Sequence, residues 1–344
     1  MQKYWAKRAE NLEKALLLKG RDYYYNLAIQ YDRAARNIEK EIEIFFRKYA
    51  NNNQISLAEA KKTLQGSDLK IFKMDIKEYI EKSKALKYNK HWLKELENAS
   101  MRFRISRLEA LKLQMRQEIE SLSIKEIDGL RETLKDVYSE GYYKNIYNVQ
   151  KDFGLRFAFA KLDTDKINKV ISKPWAPDGS DFSERIWGEH RPKLIQALNT
   201  DFTQSIIRGE DPKKIIKKIV DDFGVAKSRA SNLIQTETAF FASESSKDSF
   251  KEIGIEKYQI VATLDNRTSD ICQSMDGKVF PMSAYEVSVT APPFHNRCRT
   301  TFVPIVDKDL KTQIKETRAA KNRDGRYIRI PSNMTYVEWK EKYL

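Results

Sequence analysis

Two cysteines and a histidine in the last third of the sequence are the strongest candidates for chemistry. His295-x-x-Cys298 places two ligand-type side chains within one turn, and Cys272 could join them from a neighbouring hairpin. Thiolate and imidazole are ligands that zinc prefers. Three ligands are one short of a closed structural site, so Asp270 or water would supply the fourth. Alternatively, the thiols are small buried side chains, or they pair under oxidising conditions.

The same region allows two enzymatic interpretations. His295 lies near Arg297 and Arg299, which could suit a nuclease, but a metal-dependent nuclease needs carboxylates or further histidines around its ion. Gln235-x-Glu237 matches the short signature of ADP-ribosyltransferases, yet it lies inside a helical pattern. We therefore predict that the chain is not an enzyme. The alternative is a nuclease or an ADP-ribosyltransferase-like effector that uses Glu237 or His295.

Composition narrows the class of protein. The 344 residues suffice for one large domain or two ordinary ones, and the formal net charge is +14. Such a charge favours polyanionic partners, although a merely basic, solvated surface explains it equally well. Two cysteines argue against a disulfide scaffold and for folding in a reducing compartment. No apolar run of membrane-spanning length and no signal peptide are predicted.

The prolines divide the chain into two differently built regions. All nine lie after residue 173, so helices can run uninterrupted through the first half. We predict a mainly α protein (α+β overall), with a long helical N-terminal half and a smaller α+β C-terminal module that includes a short β-hairpin region and a basic tail. The predicted boundaries are 1–165 for an elongated helical region, 166–305 for the module, and 306–344 for the basic tail with a C-terminal docking segment.

Apolar residues at steps of three and four predict the long helices. The first apolar stripe comprises Leu27, Tyr31, Ala34, Ile38, Ile42, Phe45 and Tyr49. The second comprises Met101, Ile105, Leu108, Leu111, Met115, Ile119 and Leu122, and continues through Ile127, Leu130, Leu134, Val137, Tyr142 and Ile146. Asp211–Pro212 predicts a helix start, and a further helix is expected from about 226 to 250. Residues 257–264 and 277–280 predict a strand and its return strand.

Lysines and arginines form two candidate DNA-contacting surfaces. The first, here called the lysine face, lies opposite isoleucines and comprises Lys213, Lys214, Lys217 and Lys218. The second, the tail stripe, has helical spacing and comprises Lys308, Lys311, Lys315, Arg318 and Lys321. Such surfaces are usually only solvated, but they are also what phosphate contacts require. Aromatic residues after the stripe, including Trp339, predict that the C-terminus docks.

Several short motifs occur in a fixed order in the C-terminal half. The residues that stand out in them are Glu237, Asp265, Arg267, Asp276, Gly277, Pro292, Pro293 and Arg299. They alternate along the sequence with Cys272, His295 and Cys298. This order resembles the phage head-morphogenesis proteins of the Mu F type, the minor head proteins of tailed bacteriophages and prophages. The resemblance extends from about residue 174 to the C-terminus and makes 166–305 the Mu F-like domain.

The resemblance implies a protein inside the virion head that forms in the host cytoplasm during assembly. Its implied partners are the portal, capsid and scaffold proteins and double-stranded DNA bound non-specifically, and it could be delivered with the genome. Family members commonly carry Cys-x-x-Cys followed by His-x-x-Cys-x-Cys. Ser269 and Thr300 replace the first and last of these cysteines here. That departure weakens the prediction of zinc without weakening the resemblance.

Overall fold

A computed structural model gives the architecture of most of the chain. The residues it describes are 2–47, 62, 65–85, 90–102, 104–153, 161–305, 317–321, 327–331 and 335–343. Among the helices in these ranges, none combines the length and apolarity that a membrane crossing needs.

Helices dominate the fold, as predicted. They are α1 (Gln2–Arg47), α2 (Gly66–Ala85), α3 (Lys90–Met101), α4 (Arg107–Phe153), α5 (Thr164–Ile171), α6 (Phe182–Arg185), α7 (Arg191–Ile207), α8 (Pro212–Glu252), α9 (Asp270–Met275) and α10 (Tyr336–Tyr343). A π-helical turn, Ile186–His190, joins α6 to α7, and a 3₁₀ turn, Met282–Ala284, follows the second strand. The chain is therefore mainly α, with its strands confined to the C-terminal part.

The strands form two small antiparallel sheets. β1 (Lys257–Val261), β2 (Val279–Pro281) and β3 (Thr301–Ile305) form one sheet in the order β2-β1-β3. β4 (Thr317–Lys321) and β5 (Tyr327–Pro331) form a separate hairpin. The predicted strand and return strand correspond to β1 and β2, so that prediction is confirmed. The helical spacing of the tail stripe was misleading at Arg318 and Lys321, which lie in β4, because strand pairing outweighs a pattern of charges.

The described part of the chain forms two compact units. The first unit comprises Met1–Tyr23, Leu130–Lys173 and Asn232–Leu344, and the second comprises Tyr24–Gly129 and Pro174–Ser231. The unit boundaries fall inside α1, α4 and α8 and, between Lys173 and Pro174, after the end of α5. The division follows packing, and long helices without proline let one helix contribute to both units.

The first apolar stripe was predicted well, and the second departs from the prediction at Met101, at Ile105, which precedes α4, and at Ile127, which is half-buried. Every described member of the first stripe is buried, and Tyr49 lies outside the described residues. In the second stripe, Met101 ends α3 and is 67% exposed, so it does not belong to the helix that carries Leu108 and Leu111. The predicted start at Asp211–Pro212 is correct, but α8 continues without a break to Glu252 and includes the helix expected from about 226.

Part of the C-terminal segment packs into the core of the first unit. Trp339 on α10 is 1% exposed, and its ring centroid lies 6.1 Å from that of Tyr147 on α4. The large, fully buried side chains of this unit come from helices and sheet alike: Leu16, Tyr138, Tyr142, Phe241, Tyr258, Phe302 and Trp339. The small sheet therefore rests on a helical core that includes the N-terminal turns of α1.

A buried carboxylate anchors the second unit. The side chain of Glu120 on α4 is fully buried and pairs with Arg116 on the same helix and with Arg191 at the start of α7. Each guanidinium lies 4.3 Å from the centroid of a tryptophan ring, Arg116 over Trp92 and Arg191 over Trp187. Burial raises the pKa of Glu120, and the two arginines act against that rise. The ionised carboxylate and its cations therefore depend on one another.

Replacing Glu120 by alanine is expected to lower the free energy of unfolding by about 3 kcal/mol. The change removes the carboxylate that pairs with the partly buried Arg191 and leaves Arg116 paired with Glu95. Urea unfolding followed by circular dichroism measures the change. Glu118→Ala is the matched control, since Glu118 lies two residues before Glu120 on α4 and its carboxylate accepts an exposed hydrogen bond from the amide of Asn37. Equal midpoints for the two variants would contradict the anchoring role of Glu120.

Candidate metal centre

Three side chains from two segments converge on one point of the first unit. The Sγ atom of Cys272 lies 3.2 Å from Nε2 of His295 and 3.7 Å from Sγ of Cys298. The ligand atoms of the three residues all lie within 4.8 Å of one another. Both cysteines are buried and free, and His295 is half-buried. The structure thus brings together the three predicted ligands.

Local backbone structure presents each of these side chains. Ser269 caps the N-terminus of α9, and its side chain accepts a hydrogen bond from the backbone N–H of Cys272. The backbone N–H of Cys298 donates to the carbonyl of His295 across a tight turn, 3.2 Å away. Arg297 within that turn has a φ of 58°, a left-handed conformation that few non-glycine residues adopt. The turn therefore aims the histidine and the second cysteine at the same point.

The orientation of the imidazole suits a metal ligand. Nδ1 of His295 lies 2.8 Å from the backbone carbonyl of Asn296, and because a carbonyl only accepts, Nδ1 must carry a proton. In the neutral ring the lone pair then belongs to Nε2, the atom that faces Cys272. Metal-bound histidines are commonly held in this way by a backbone carbonyl.

The two thiols differ in acidity. A hydrogen bond from Cys298 lowers the pKa of Cys272 to about 5, with smaller contributions in the same direction from the side chains of Ser269, Thr300 and His295. The pKa of Cys298 is raised by the hydrogen bond to Cys272 and by burial. Ser269 and Thr300, the two residues that replace family cysteines, thus both interact with Cys272.

An ion pair braces the loop before α9. The guanidinium of Arg299 makes two hydrogen bonds to the carboxylate of Asp265, one of them 2.8 Å long, and it holds the pKa of Asp265 well below its usual range. The same carboxylate accepts from the backbone N–H of Arg267, whose own side chain is largely exposed. Because Arg299 directly follows Cys298, this pair fixes the loop against the histidine–cysteine turn.

The remaining signature residues shape the backbone around the centre. The carboxylate of Asp276 accepts a 2.8 Å hydrogen bond from the backbone N–H of Ala262, and Gly277 has a φ of 75°. That conformation favours glycine and turns the chain from α9 into β2. Pro292 and Pro293 lie in the segment before the histidine–cysteine turn and are joined by a cis peptide bond. These residues have structural positions, and none of them contributes a ligand atom to the cluster.

The Gln-Thr-Glu motif lies on α8, where its middle residue contacts the centre's turn. Thr236 Oγ1 accepts a 3.1 Å hydrogen bond from the backbone N–H of Arg297. Glu237 is 2% exposed, so its carboxylate is closed to a substrate approaching from solvent. Asp270 is exposed and does not belong to the ligand group. Within the described part of the chain, no carboxylate joins the three residues of this group.

The lysine face is exposed in the second unit, as its spacing predicted. Lys213, Lys214, Lys217 and Lys218 all project to solvent from the first turns of α8, and Lys218 pairs with Asp201 at 3.1 Å. Of the tail stripe, Lys308, Lys311 and Lys315 lie outside the described residues, while Arg318 and Lys321 are described only as backbone of β4. The metal centre and the lysine face are thus separate features of the chain.

Sequence reasoning missed three residues of the centre. It treated Ser269 and Thr300 only as absent cysteines and did not single out Thr236. The spacing Ser269-x-x-Cys272 could have indicated the helix cap, because a serine commonly bonds the backbone N–H three residues later. Nothing in the sequence indicates the contact of Thr236, since its partner at Arg297 lies 61 residues away.

Comparison with known proteins identifies this region. Residues 196–303, about a third of the chain, match the family model described as phage Mu protein F like protein. No curated protein and no solved structure gives a significant match. The matched region begins in α7, ends in β3 and contains both the lysine face and the metal centre. This region is therefore similar to the phage proteins of the Mu F type. The match confirms the resemblance predicted from the ordered motifs.

Proposed function

We propose that the chain is a non-enzymatic component of the interior of a tailed-phage head. In this proposal it associates with the portal and with capsid or scaffold proteins during assembly, binds double-stranded DNA non-specifically, and can leave the head with the genome. The Mu F-type region supports the head assignment, and the net charge of +14 supports the nucleic-acid partner.

The lysine face is the observation that carries the DNA-binding part of the proposal. Ile215 and Ile219 are 1% and 2% exposed, so packing fixes the rotation of α8 and keeps the lysines outward. Lys213, Lys214 and Lys217 take part in none of the ion pairs found among the described side chains. Their charges are therefore available to an external anion. Closely spaced cations on one helix face can neutralise successive phosphates and release the counterions bound there.

Replacing Lys213, Lys214 and Lys217 together by alanine is expected to weaken DNA binding and to flatten its salt dependence. Each lost phosphate contact reduces the slope of log K against log salt by about 0.9, so the triple variant loses up to about 2.7. Fluorescence anisotropy with unrelated duplexes of equal length, over a range of salt concentrations, measures both effects. Equal affinity for the unrelated sequences is expected throughout.

A charge-matched control shows whether DNA binding depends on the lysine face or only on the net charge of the protein. Lys84, Lys135 and Lys193 each pair with a nearby glutamate on the same helical segment, so their replacement removes the same number of cations from sites already neutralised. This control is expected to keep the slope of the unsubstituted protein. If the two triple variants behave alike, DNA binding does not depend on the lysine face.

The tail stripe provides a second arm of the same experiment. Replacing Lys308, Lys311, Lys315 and Arg318 by alanine is also expected to flatten the salt dependence, as the sequence predicted. If the slope of log K against log salt is unchanged, the tail stripe does not contact DNA. The DNA-binding proposal then depends on the lysine face alone.

Two further assays address the head and the chemistry. Co-purification of the chain with DNA-filled heads, and protection from protease until the heads are opened, is expected of an internal component. Digestion of the chain in intact heads would contradict the internal placement.

Incubation with plasmid DNA and divalent metal, and separately with labelled NAD, is expected to show no turnover. Activity that Glu237→Ala or His295→Ala abolishes would establish the enzymatic alternative.

A further inference from the structure

We propose that a cavity between α1, α2 and α4 of the second unit binds an arginine side chain presented by a partner protein. The volume of this cavity is about 200 Å³. Pockets for whole small-molecule ligands usually measure roughly 300–1,000 Å³, so this one is suited to one or two side chains. The proposal is independent of DNA binding, because the lysine face lies on α8 and contributes nothing to the cavity.

Apolar side chains from three helices line most of the cavity. Phe45 on α1, Phe72 on α2 and Leu111 on α4 are buried. Ile44 and Ile71 line the same cavity, yet they are 37% and 58% exposed. Single apolar side chains are common on protein surfaces, but these two belong to one concave surface. A partner that covers them removes their apolar area from water.

The charged residues of the cavity are mainly acidic. They are Glu41, Asp68, Asp75 and Arg107, and the last of these pairs with Asp68 at 3.2 Å. Burial raises the pKa of the neighbouring Tyr79 to about 12, and nearby carboxylates that include Glu41 and Asp75 add to the rise. On a chain with a net charge of +14, this local surface attracts cations and repels DNA.

Asp75 provides the carboxylate for the incoming cation. It is half-buried, and its carboxylate takes part in no ion pair found among the described side chains. Burial raises the pKa of Asp75, and the like charge of Glu78 raises it further. A cation placed beside Asp75 would stabilise its ionised form and offset the cost of its partial burial.

Arginine is complementary to both the apolar and the acidic part of the cavity. Its aliphatic stem can pack against Phe45, Phe72 and Leu111 while its guanidinium pairs with Asp75. The ammonium group of lysine is more strongly hydrated, so bringing it to a partly buried carboxylate costs more. An apolar residue one helical turn from the arginine would cover Ile71 in the same contact.

Fluorescence anisotropy with two labelled peptides and the full chain tests the proposal. The first is a helical peptide of about 15 residues with one arginine and a leucine four positions away, on a background of alanine and glutamine. In the second, citrulline replaces arginine and keeps its shape without its charge. The arginine peptide is expected to bind saturably and about tenfold more tightly than the citrulline peptide.

A pair of acid variants locates the charge that the arginine recognises. Asp75→Asn should bring the affinities of the two peptides to within about twofold of each other, since it removes the partner of the guanidinium. Glu97→Gln is the matched control, because it removes an exposed carboxylate of α3 outside the cavity and should keep the tenfold ratio. An unchanged ratio in Asp75→Asn, or no saturable binding to the unsubstituted chain, would overturn the proposal.

A second pair of variants tests the apolar wall. Ile71→Ala should weaken both peptides several-fold, and its exposed position keeps the effect on folding small. Met74→Ala is the control, since Met74 is 70% exposed on the same helix and does not line the cavity. Equal affinities in these two variants would exclude the cavity as the binding site. The triple variant of Lys213, Lys214 and Lys217 should bind both peptides as the unsubstituted chain does, which separates this test from that of DNA binding.

Discussion

Adding a single methyl group at Gly141 is expected to destabilise the first unit by about 3 kcal/mol. A Cβ atom at this position of α4 would lie 2.1 Å from Oγ and 3.0 Å from Cβ of Ser245 on α8. Ser245 is fully buried, and its hydroxyl bonds the carbonyl of Ala242, so it cannot rotate away without losing that bond. The helices would have to separate, and urea unfolding of Gly141→Ala measures the cost.

Gly20 provides an independent example of the same close packing. A Cβ atom there would lie 2.2 Å from Oγ1 and 2.9 Å from Cβ of Thr238, a fully buried and β-branched residue. A loss of about 3 kcal/mol is expected for Gly20→Ala as well, because a β-branched side chain has few alternative rotamers. The contacts of Gly20 and Gly141 show that α8 approaches both α1 and α4 closely within the first unit.

A helical glycine with free space around it separates packing from helix propensity. Gly224 in the middle of α8 has no atom within 4 Å of the position a Cβ would take. Gly224→Ala is therefore expected to stabilise the chain by about 0.5–1 kcal/mol. The double variant Gly141→Ala/Ser245→Ala should recover part of the loss, since it removes the 2.1 Å contact. Destabilisation by Gly224→Ala, or no recovery in the double variant, would contradict the packing explanation.

These glycines illustrate what the sequence could and could not predict about the fold. The periodic apolar residues of α1 and α4 predicted long helices because helical periodicity is a local property. Which helix faces meet, and at what distance, depends on small residues such as Gly20 and Gly141 pairing with buried hydroxyls elsewhere in the chain. The continuity of α8 was missed for a related reason. Gly224 weakens the helical signal, but Phe223 and Ala226 beside it are buried and hold the helix in place.

The sheet was only partly predictable. β1 and β2 followed from their β-branched and aromatic residues and the intervening turn, whereas β3 was missed because it contains Pro304. β3 is an edge strand of its sheet, where a residue without a backbone N–H is tolerated. The hairpin of β4 and β5 was not predicted, because the basic residues up to Lys321 have helical spacing. Whether such a segment forms a strand or a helix depends on its pairing with another segment, and the spacing of charged residues contains no information about that pairing.

The three residues of the candidate metal centre were predicted from the sequence, but the residues that support them were not. Cys272, His295 and Cys298 were recognisable by residue type and motif order. The helix cap by Ser269 and the contact from Thr236 depend on the fold, so their importance emerges only from the structure. The hydrogen bond of Thr300 to Cys272 likewise depends on the fold, because Thr300 lies directly before β3. Residue types thus indicate where a site lies, and the neighbouring backbone determines how many ligands it offers.

Stability is expected to fall as the pH rises from about 4.5 to about 8, because of a buried carboxyl next to β3. Glu13 on α1 is 4% exposed and bonded by the side chain of Thr301, and burial raises its pKa to about 8. Between these two pH values the folded chain keeps a proton on Glu13 that the unfolded chain releases near pH 4.5. Folding then takes up a proton, so the free energy of unfolding falls as the pH rises. Integrated over this range, the linkage is on the order of 4 kcal/mol.

Glu13→Gln is expected to remove this pH dependence while keeping the shape of the side chain. Near pH 5 the variant and the unsubstituted chain should be almost equally stable, and at pH 8 the variant should be the more stable by several kcal/mol. Urea midpoints measured at each pH give the comparison. Burial also raises the pKa of Glu126 to about 7, so a shallower decline of the same sign should remain in the variant.

The control for this effect lies on the same helix. Glu10, one turn before Glu13, is partly exposed, and Glu10→Gln should follow the unsubstituted chain at every pH. Tyr285 lies near the same carboxyl and is half-buried, with its pKa raised well above the usual range by burial and by nearby carboxylates. Ionising Glu13 would place a negative charge in this buried position. The stability difference between Glu13→Gln and the unsubstituted chain could instead be the same at pH 5 and pH 8. In that case Glu13 is ionised in the folded chain, and the contact between α1 and the sheet is charged and not neutral.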